Sequence, residues 1–415
     1  MMKYLRLATH DFHGAGLASV SVVKNLRAKG VEAKLVVLYK KSSEDFVLGI
    51  HHMNQFFGRC HYLIDYLFRK IYRLLIVKDS KYLFLDMQNN AVSAKQILRL
   101  YGDIPDVISC AWTSNFVSDK TILELKKLTG AKVVYEMTDD SPFTGGCHYP
   151  WDCEGYMSDC YPCPALKNGC RKAQKTLLFK KENVSPDMII SGVTNDCMRA
   201  AKSIVFKSCV ILPSVFLPEN PYQFPREVGR RKWDIPDNQF VIFCGAKDLK
   251  EERKGFGYLV DALGLLKRRG VEIKDLTILV AARNLVPFPD GFDIRAVGLL
   301  GTRDLFQAYC CADLYVCTSV EDSGPLMINQ AFKAHIPILS FRMGVALDLI
   351  RHKENGYIAN LKDSEDLCDG IIYCYYHKEE LRRRISQINA EIENDIKLHK
   401  NAGKYLGLSS FSKQH

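Results

Sequence analysis

The chain has no apolar run approaching the roughly 18 residues that a membrane-crossing helix requires. Its first ten residues, MMKYLRLATH, also lack the long apolar core of a secretory leader. Both absences lead us to expect a chain that stays in the cytoplasm. No zinc-finger, RRM or homeodomain pattern occurs, so nucleic acid is not expected as a partner. Acid is in short supply: 47 Asp and Glu stand against 57 Lys and Arg, a formal charge of +10. That excess calls for a partner or surface of opposite sign without naming one. The 15 cysteines are an odd number, and most lie singly in apolar segments, as thiols do in a reducing compartment.

What is present is the grammar of an α/β protein. At 415 residues the chain is too long for one comfortable core and suits two domains of about 200 residues each. Lys3 to Thr9 is a short apolar stretch, Gly14-Ala15-Gly16 interrupts it, and Leu17 to Lys29 repeats apolar residues at helical spacing. Gly30 then closes the helix, and Ala33 to Tyr39 resumes a strand. The same pattern returns at Phe240 to Gly245, a polar loop, a helix from Phe256 to Arg269 and a strand from Leu276 to Ala282. Two βαβ units, each heading one half, predict two Rossmann-like domains facing across a cleft. The boundaries expected are 1–212 for the first domain, with a Cys-rich insertion at 147–170, a proline-rich hinge at 213–236, a second domain at 237–378 and a helical segment at 379–415.

Candidate binding residues cluster in two stretches of the second half. In the first, Glu321-Asp322-Ser323-Gly324-Pro325-Leu326-Met327-Ile328-Asn329 follows a strand end, and Pro325 suits the first position of a helix. The amides of Leu326 and Met327, having no intrahelical acceptor, would then cradle a phosphate at the positive end of the helix dipole. Glu321, in the loop ahead of them, could read the hydroxyls of whatever the phosphates carry. In the second stretch, Gly245 to Gly255 carries Lys247 and Lys254 directly after a strand. Taken alone those lysines would read equally well as a solvated loop, but their position favours a clamp for the charge that develops on a departing diphosphate. Gly14 and Gly16 are candidates for a third phosphate contact, although a lone Gly-x-Gly is a weak signal.

These stretches resemble the donor-binding signatures of retaining glycosyltransferases of family 4, which have the two-domain GT-B fold. The family pattern is a Glu, seven residues and a second Glu; here Glu321 is the first and Asn329 replaces the second, which in the family holds ribose hydroxyls. The run Pro142-Phe143-Thr144-Gly145-Gly146-Cys147-His148-Tyr149 resembles a subgroup that builds bacterial surface polysaccharides. That subgroup carries His-Asp shortly before the run, where this chain has Thr138-Asp139, leaving Asp139 as the candidate for sugar or acceptor hydroxyls. The likeness spans residues 1–40, 106–166 and 240–360. It implies transfer of a hexose from a nucleotide-diphosphate sugar to a hydroxyl of a growing, lipid-linked glycan. It also implies front-face attack without a catalytic divalent ion, and a last helix that crosses back onto the first domain. A non-catalytic GT-B binding or scaffold protein is the alternative. A phosphorylase is disfavoured, because no lysine motif for a pyridoxal cofactor is found.

Two further features stand outside that reading. Cys147, Cys153, Cys160 and Cys163 are packed closely enough for a structural zinc site, with local disulfides or free thiols as the competing outcomes. Phe56 to Lys78 interleaves Phe57, Ile64, Leu67 and Ile71 with Arg59, Arg69, Lys70, Arg73 and Lys78, the pattern of a basic amphipathic helix. Ala165 to Lys181 adds six cations and no acid. Either these segments touch an anionic membrane surface at the inner face, or the apolar stripe packs into the first domain and the cations are solvated. Packing is the preferred expectation.

Overall fold

A computed structural model describes residues 1–79, 81–85, 92–218, 222–271 and 275–400, with side chains to 397. The chain divides after Pro213 into two compact units. The first is built on seven strands: β1 (Lys3–His10), β2 (Glu32–Lys40), β3 (Val47–His52), β4 (Val107–Cys110), β5 (Lys132–Glu136), β6 (Ile189–Gly192) and β7 (Val210–Pro213). Their order is β3-β2-β1-β4-β5-β6-β7, and every pairing is parallel. Both faces are covered, as an all-parallel sheet requires. Leu5 and Leu7 of β1 join one buried layer with Ile108 and Val133, while Tyr4 and Ala8 join the opposite layer with Val107 and Val134. The period of two along one strand thus feeds two separate cores.

The second unit repeats the plan with β8 (Phe240–Ala246), β9 (Leu276–Ala282), β10 (Asp293–Ala296), β11 (Leu314–Cys317), β12 (Ile338–Phe341) and β13 (Gly356–Ala359). Their order is β10-β9-β8-β11-β12-β13, again with every pairing parallel. In each unit the order reverses direction beside the first strand, between β1 and β4 and between β8 and β11. Ligands of such sheets bind outside the carboxyl ends of the strands at that reversal.

Several local expectations change. The helix after β1 begins at His13, so Gly14 and Gly16 sit in its first turn; the break is made by Asp11 and Phe12, with His13 at φ 63°. Asp11 holds the turn by accepting from the amides of Lys41 (2.8 Å) and Ser42 (2.9 Å). The expected hinge contains a helix, Arg226–Lys232. Its buried Arg230 donates to the carbonyls of Pro236 and Asp237 and to Asp313. The last helix, Lys378–Lys400, packs on its own unit. Leu381, Ile385, Ile388 and Ile392 are its buried stripe. Asn389 donates to the Phe332 carbonyl (2.8 Å), Lys333 pairs with Glu393 (2.8 Å), and Arg382 pairs with Asp313. A crossing to the first domain would concern residues 401–415, which lie outside the described residues.

Candidate active site

The two sequence stretches of the second unit meet at the carboxyl ends of β8 and β11. Gly255, at φ +60°, lies so close to the turn after β11 that a Cβ there would sit 2.1 Å from the Thr318 carbonyl. Only glycine fits both that conformation and that approach. Two hydrogen bonds stitch the contact: Thr318 Oγ1 donates to the Lys254 carbonyl (2.9 Å) and the Val320 amide to the Arg253 carbonyl (2.8 Å). Both loops thereby form one wall.

On that wall Lys254 and Arg253 each bond Asp322, at 2.6 Å. Burial would raise the Asp322 carboxyl, but the two cations outweigh it and hold it below the usual carboxylate range. Sequence reasoning singled out Lys254 and passed over Arg253 and Asp322, although both lie in the same quoted stretches. Lys247 stands exposed just past β8, with its carbonyl accepting from the Arg283 amide (3.3 Å). Glu321 is half-buried in the turn. Pro325 is the residue before the helix rather than its first member, and the helix runs Leu326–Lys333. The first helical amides are therefore those of Leu326 and Met327, next to exposed Gly324. Asn329 is buried, donates from Nδ2 to the Phe216 carbonyl, and leaves Oδ1 without a hydrogen-bond partner among the described residues. An orphaned amide oxygen is costly to bury and is a ready acceptor for a ligand hydroxyl.

In the first unit the reversal point is occupied by His10, at the end of β1, and Trp112, just past β4, with ring centroids 5.0 Å apart. His10 is buried and its Nδ1 has no hydrogen-bond partner among the described residues. Desolvation, with a smaller contribution from His13, lowers its pKa from 6.5 to about 4. Gly16 makes this possible, since a Cβ there would meet the His10 carbonyl at 2.6 Å and Nδ1 at 2.9 Å. Gly16 thus admits the histidine, and Gly14 has open space around it.

Asp139 points inward, with Oδ2 2.7 Å from His148 Nδ1 and Oδ1 accepting from the Ser141 amide (2.8 Å). His148 Nδ1 is approached both by the Asp139 carboxylate and by the indole N–H of Trp112 (3.2 Å), while Nε2 faces Ser114 Oγ at 3.3 Å. Burial opposes charge on Asp139, but His148 and Ser141 prevail and lower its pKa. Asp139, expected to read hydroxyls, is thus engaged by His148, a member of the same motif that carried no role in the sequence. The rest of that motif is an internal strut. Buried Lys180 donates to the carbonyls of Ser141 and Thr144, and Ser203 Oγ donates to Phe143 (2.7 Å).

Cys147, Cys153, Cys160 and Cys163 all line one cavity of about 20 Å³. The Cys147 thiol bonds to Cys163, which lowers Cys163 to about 7 and raises Cys147. All 15 cysteines are free thiols, and among the described residues no group of three or more His, Cys, Asp or Glu is placed to hold a metal. The competing outcome of local disulfides is therefore not found.

Residues 238–377 match the family model described as glycosyl transferases group 1. No curated protein matches the sequence. Among solved structures, HepE from Anabaena in complex with UDP and glucose superposes with a TM-score of 0.57 at 14% identity, covering 99% of this chain and 100% of that one. Sucrose-phosphate synthase from Thermosynechococcus elongatus gives 0.56 at 12%, covering 96% and 100%. A variant of S. aureus TarM, in complex with fondaparinux, alpha-GlcNAc-glycerol and UDP, gives 0.58 at 11%, covering 99% and 100%. The fold is GT-B. At such identities the likeness speaks for the GT-B architecture alone, and the family match covers the second unit, where the Lys254 and Asn329 wall lies.

Proposed function

We propose that this chain is a retaining hexosyltransferase that uses a nucleoside diphosphate sugar and extends a lipid-linked surface glycan on the cytoplasmic side of a membrane. The observation that carries this reading is the joined wall of the second unit: cations, the amides of a helix start and an unpartnered amide oxygen converge where the strand order reverses. Lys254, Arg253 and Lys247 balance the charge of the diphosphate, with the Leu326 and Met327 amides completing its cradle. Asn329 Oδ1 accepts from a ribose hydroxyl, and Glu321 orients the sugar. In the transfer step the bond from the anomeric carbon to the diphosphate oxygen breaks, and the acceptor oxygen bonds that carbon on the same face. The acceptor proton passes to the departing phosphate, so atoms and charge balance without a protein nucleophile. His10 and Trp112 supply an acceptor nitrogen and an aromatic face in the first unit, which suits a glycan.

UDP sugars head the donor panel because the HepE and TarM structures contain UDP. Release of nucleoside diphosphate from one donor of the panel, slow without acceptor and faster with a glycan acceptor, is the expected result. Tight donor binding with no release under either condition would instead favour the non-catalytic binding protein. For the cysteine layer we infer a structural zinc held by Cys147, Cys153, Cys160 and Cys163. Four sulfur donors lining one cavity have the chemistry zinc takes, although the described residues do not place three of them around a single ion, so zinc would have to draw them together; a closed set would leave no open position for chemistry.

A further inference from the structure

The Phe56–Ile76 helix is inside out. At 3.6 residues per turn, its large apolar side chains gather on one arc of about 140°, from Leu63 through Leu74, Leu67 and Ile71 to Phe57 and Phe68. The nine residues of that arc are all exposed, from 47% at Leu67 to 84% at Phe57. The opposite arc faces the protein: Tyr62, Asp65, Arg69, Tyr72 and Arg73 are half-buried, and Gly58 is the helix's fully buried residue. Asp65 pairs with Arg69 at 3.0 Å and accepts from Tyr39. The preferred sequence expectation, that the stripe packs into the domain, is therefore overturned. Patches this large on a soluble surface mark an interaction site.

Its charge surroundings identify the partner. The helix carries one acid, Asp65, and it is turned inward. Arg59 and Lys70 flank one edge of the apolar arc, both exposed. At the helix end the second basic segment is fastened on by the antiparallel bridge Val77–Leu166 and by Lys167, whose Nζ donates to the Leu74 carbonyl (3.1 Å). Exposed Lys78 and Lys167 thus continue the cationic edge, whereas buried Lys180 takes no part. Beside it, a cavity of about 480 Å³ is lined by Lys70, Arg73 and Lys78 together with Leu74 and Val77. A second copy of the chain would set this cationic edge against itself. Among the described residues no helix is long and apolar enough to cross a membrane.

We propose that this helix lies in the interface of an anionic lipid bilayer, its apolar arc among the acyl chains and its cationic edge on the headgroup phosphates. The proposal concerns docking and stands apart from the transfer reaction, because binding is read without donor. The full chain is sedimented with phosphatidylcholine vesicles, with and without phosphatidylglycerol, at low salt and at about 0.15 M, where exposed charges are screened over about 8 Å. Binding to the anionic vesicles is expected, falling as salt rises. Phe57→Ser/Ile64→Ser/Phe68→Ser should weaken it by about tenfold or more with the melting temperature kept, since these side chains lie outside the core. Lys70→Glu/Lys78→Glu/Lys167→Glu should remove the preference for phosphatidylglycerol. Arg69 and Arg73 are avoided because they serve the inward face. No binding to either vesicle, or undiminished binding by the serine variant, overturns the proposal. So does a dimer that the serine variant disperses while vesicles fail to compete.

Discussion

Lys254 is held on the wall beyond β8 and β11 by one carboxylate that it shares with Arg253. Removing it leaves Asp322 paired with Arg253, so Lys254→Ala should keep the fold while losing the cation that we propose faces the leaving diphosphate. The expected cost is about 3 kcal/mol in the transfer barrier, or roughly a hundredfold in kcat, read by nucleotide release and checked against an unchanged melting curve. His10 gives a second test, through pH. Its pKa falls from 6.5 to about 4 on folding, so between those values the unfolded chain binds the extra proton and stability drops with acidification. The loss should begin near pH 6.5, be complete near pH 4, and reach about 3 kcal/mol. His10→Gln should flatten denaturation midpoints across that window. Asp139 and Asp322, whose pKa values are lowered, contribute stability that is lost only at more acid pH.

Asp313 ties four elements together. It receives Arg230 from the Arg226–Lys232 helix, Arg382 from the last helix and the Val241 amide of β8, and it directly precedes β11. Arg230 is almost wholly buried. Asp313→Ala would strand that guanidinium, so a loss of about 3–5 kcal/mol in urea unfolding is expected, with the second unit affected first. Elements of this kind divide sharply in how legible they were. Strands β1, β2, β8 and β9 and the helices after β1 and β8 could be read from apolar period and glycine ends, because those signals are local. The partners that fix the site could not. Asp322 with Lys254, His148 with Asp139 and His10 with Gly16 depend on which strand ends the topology makes neighbours, and one chain position says nothing about that. The Phe56–Ile76 helix shows the reverse failure: its amphipathic period was plain, but period alone does not say which face turns inward.

At the scale of the whole chain, two all-parallel sheets of the same plan give two reversal points, one furnished with cations and amides and the other with imidazole and indole. The cysteine layer belongs to this scale because it buttresses an irregular segment against Phe84, Ile76 and Val77, where the exposed helix ends. Protein purified without chelator should carry about one zinc per chain by elemental analysis. Cys160→Ser/Cys163→Ser should lose both the metal and thermal stability, since assembling such a site is part of folding. Metal-free protein with titratable thiols and an unchanged melting temperature would remove zinc from the account.

The outward arc of the Phe56–Ile76 helix also implies an unusual rule of substitution. In a close-packed core a side chain is judged by volume and branching, and a single methylene is felt. On this arc Phe57, Leu67 and Ile71 are exposed among the described residues, with the ring of Phe56 beside Phe57, and a fluid acyl layer would conform to whatever it meets. These positions should therefore be indifferent to shape and strict about polarity: Leu, Ile, Phe and Met would interchange freely there, while one Asp would be rejected without the fold ever registering the change.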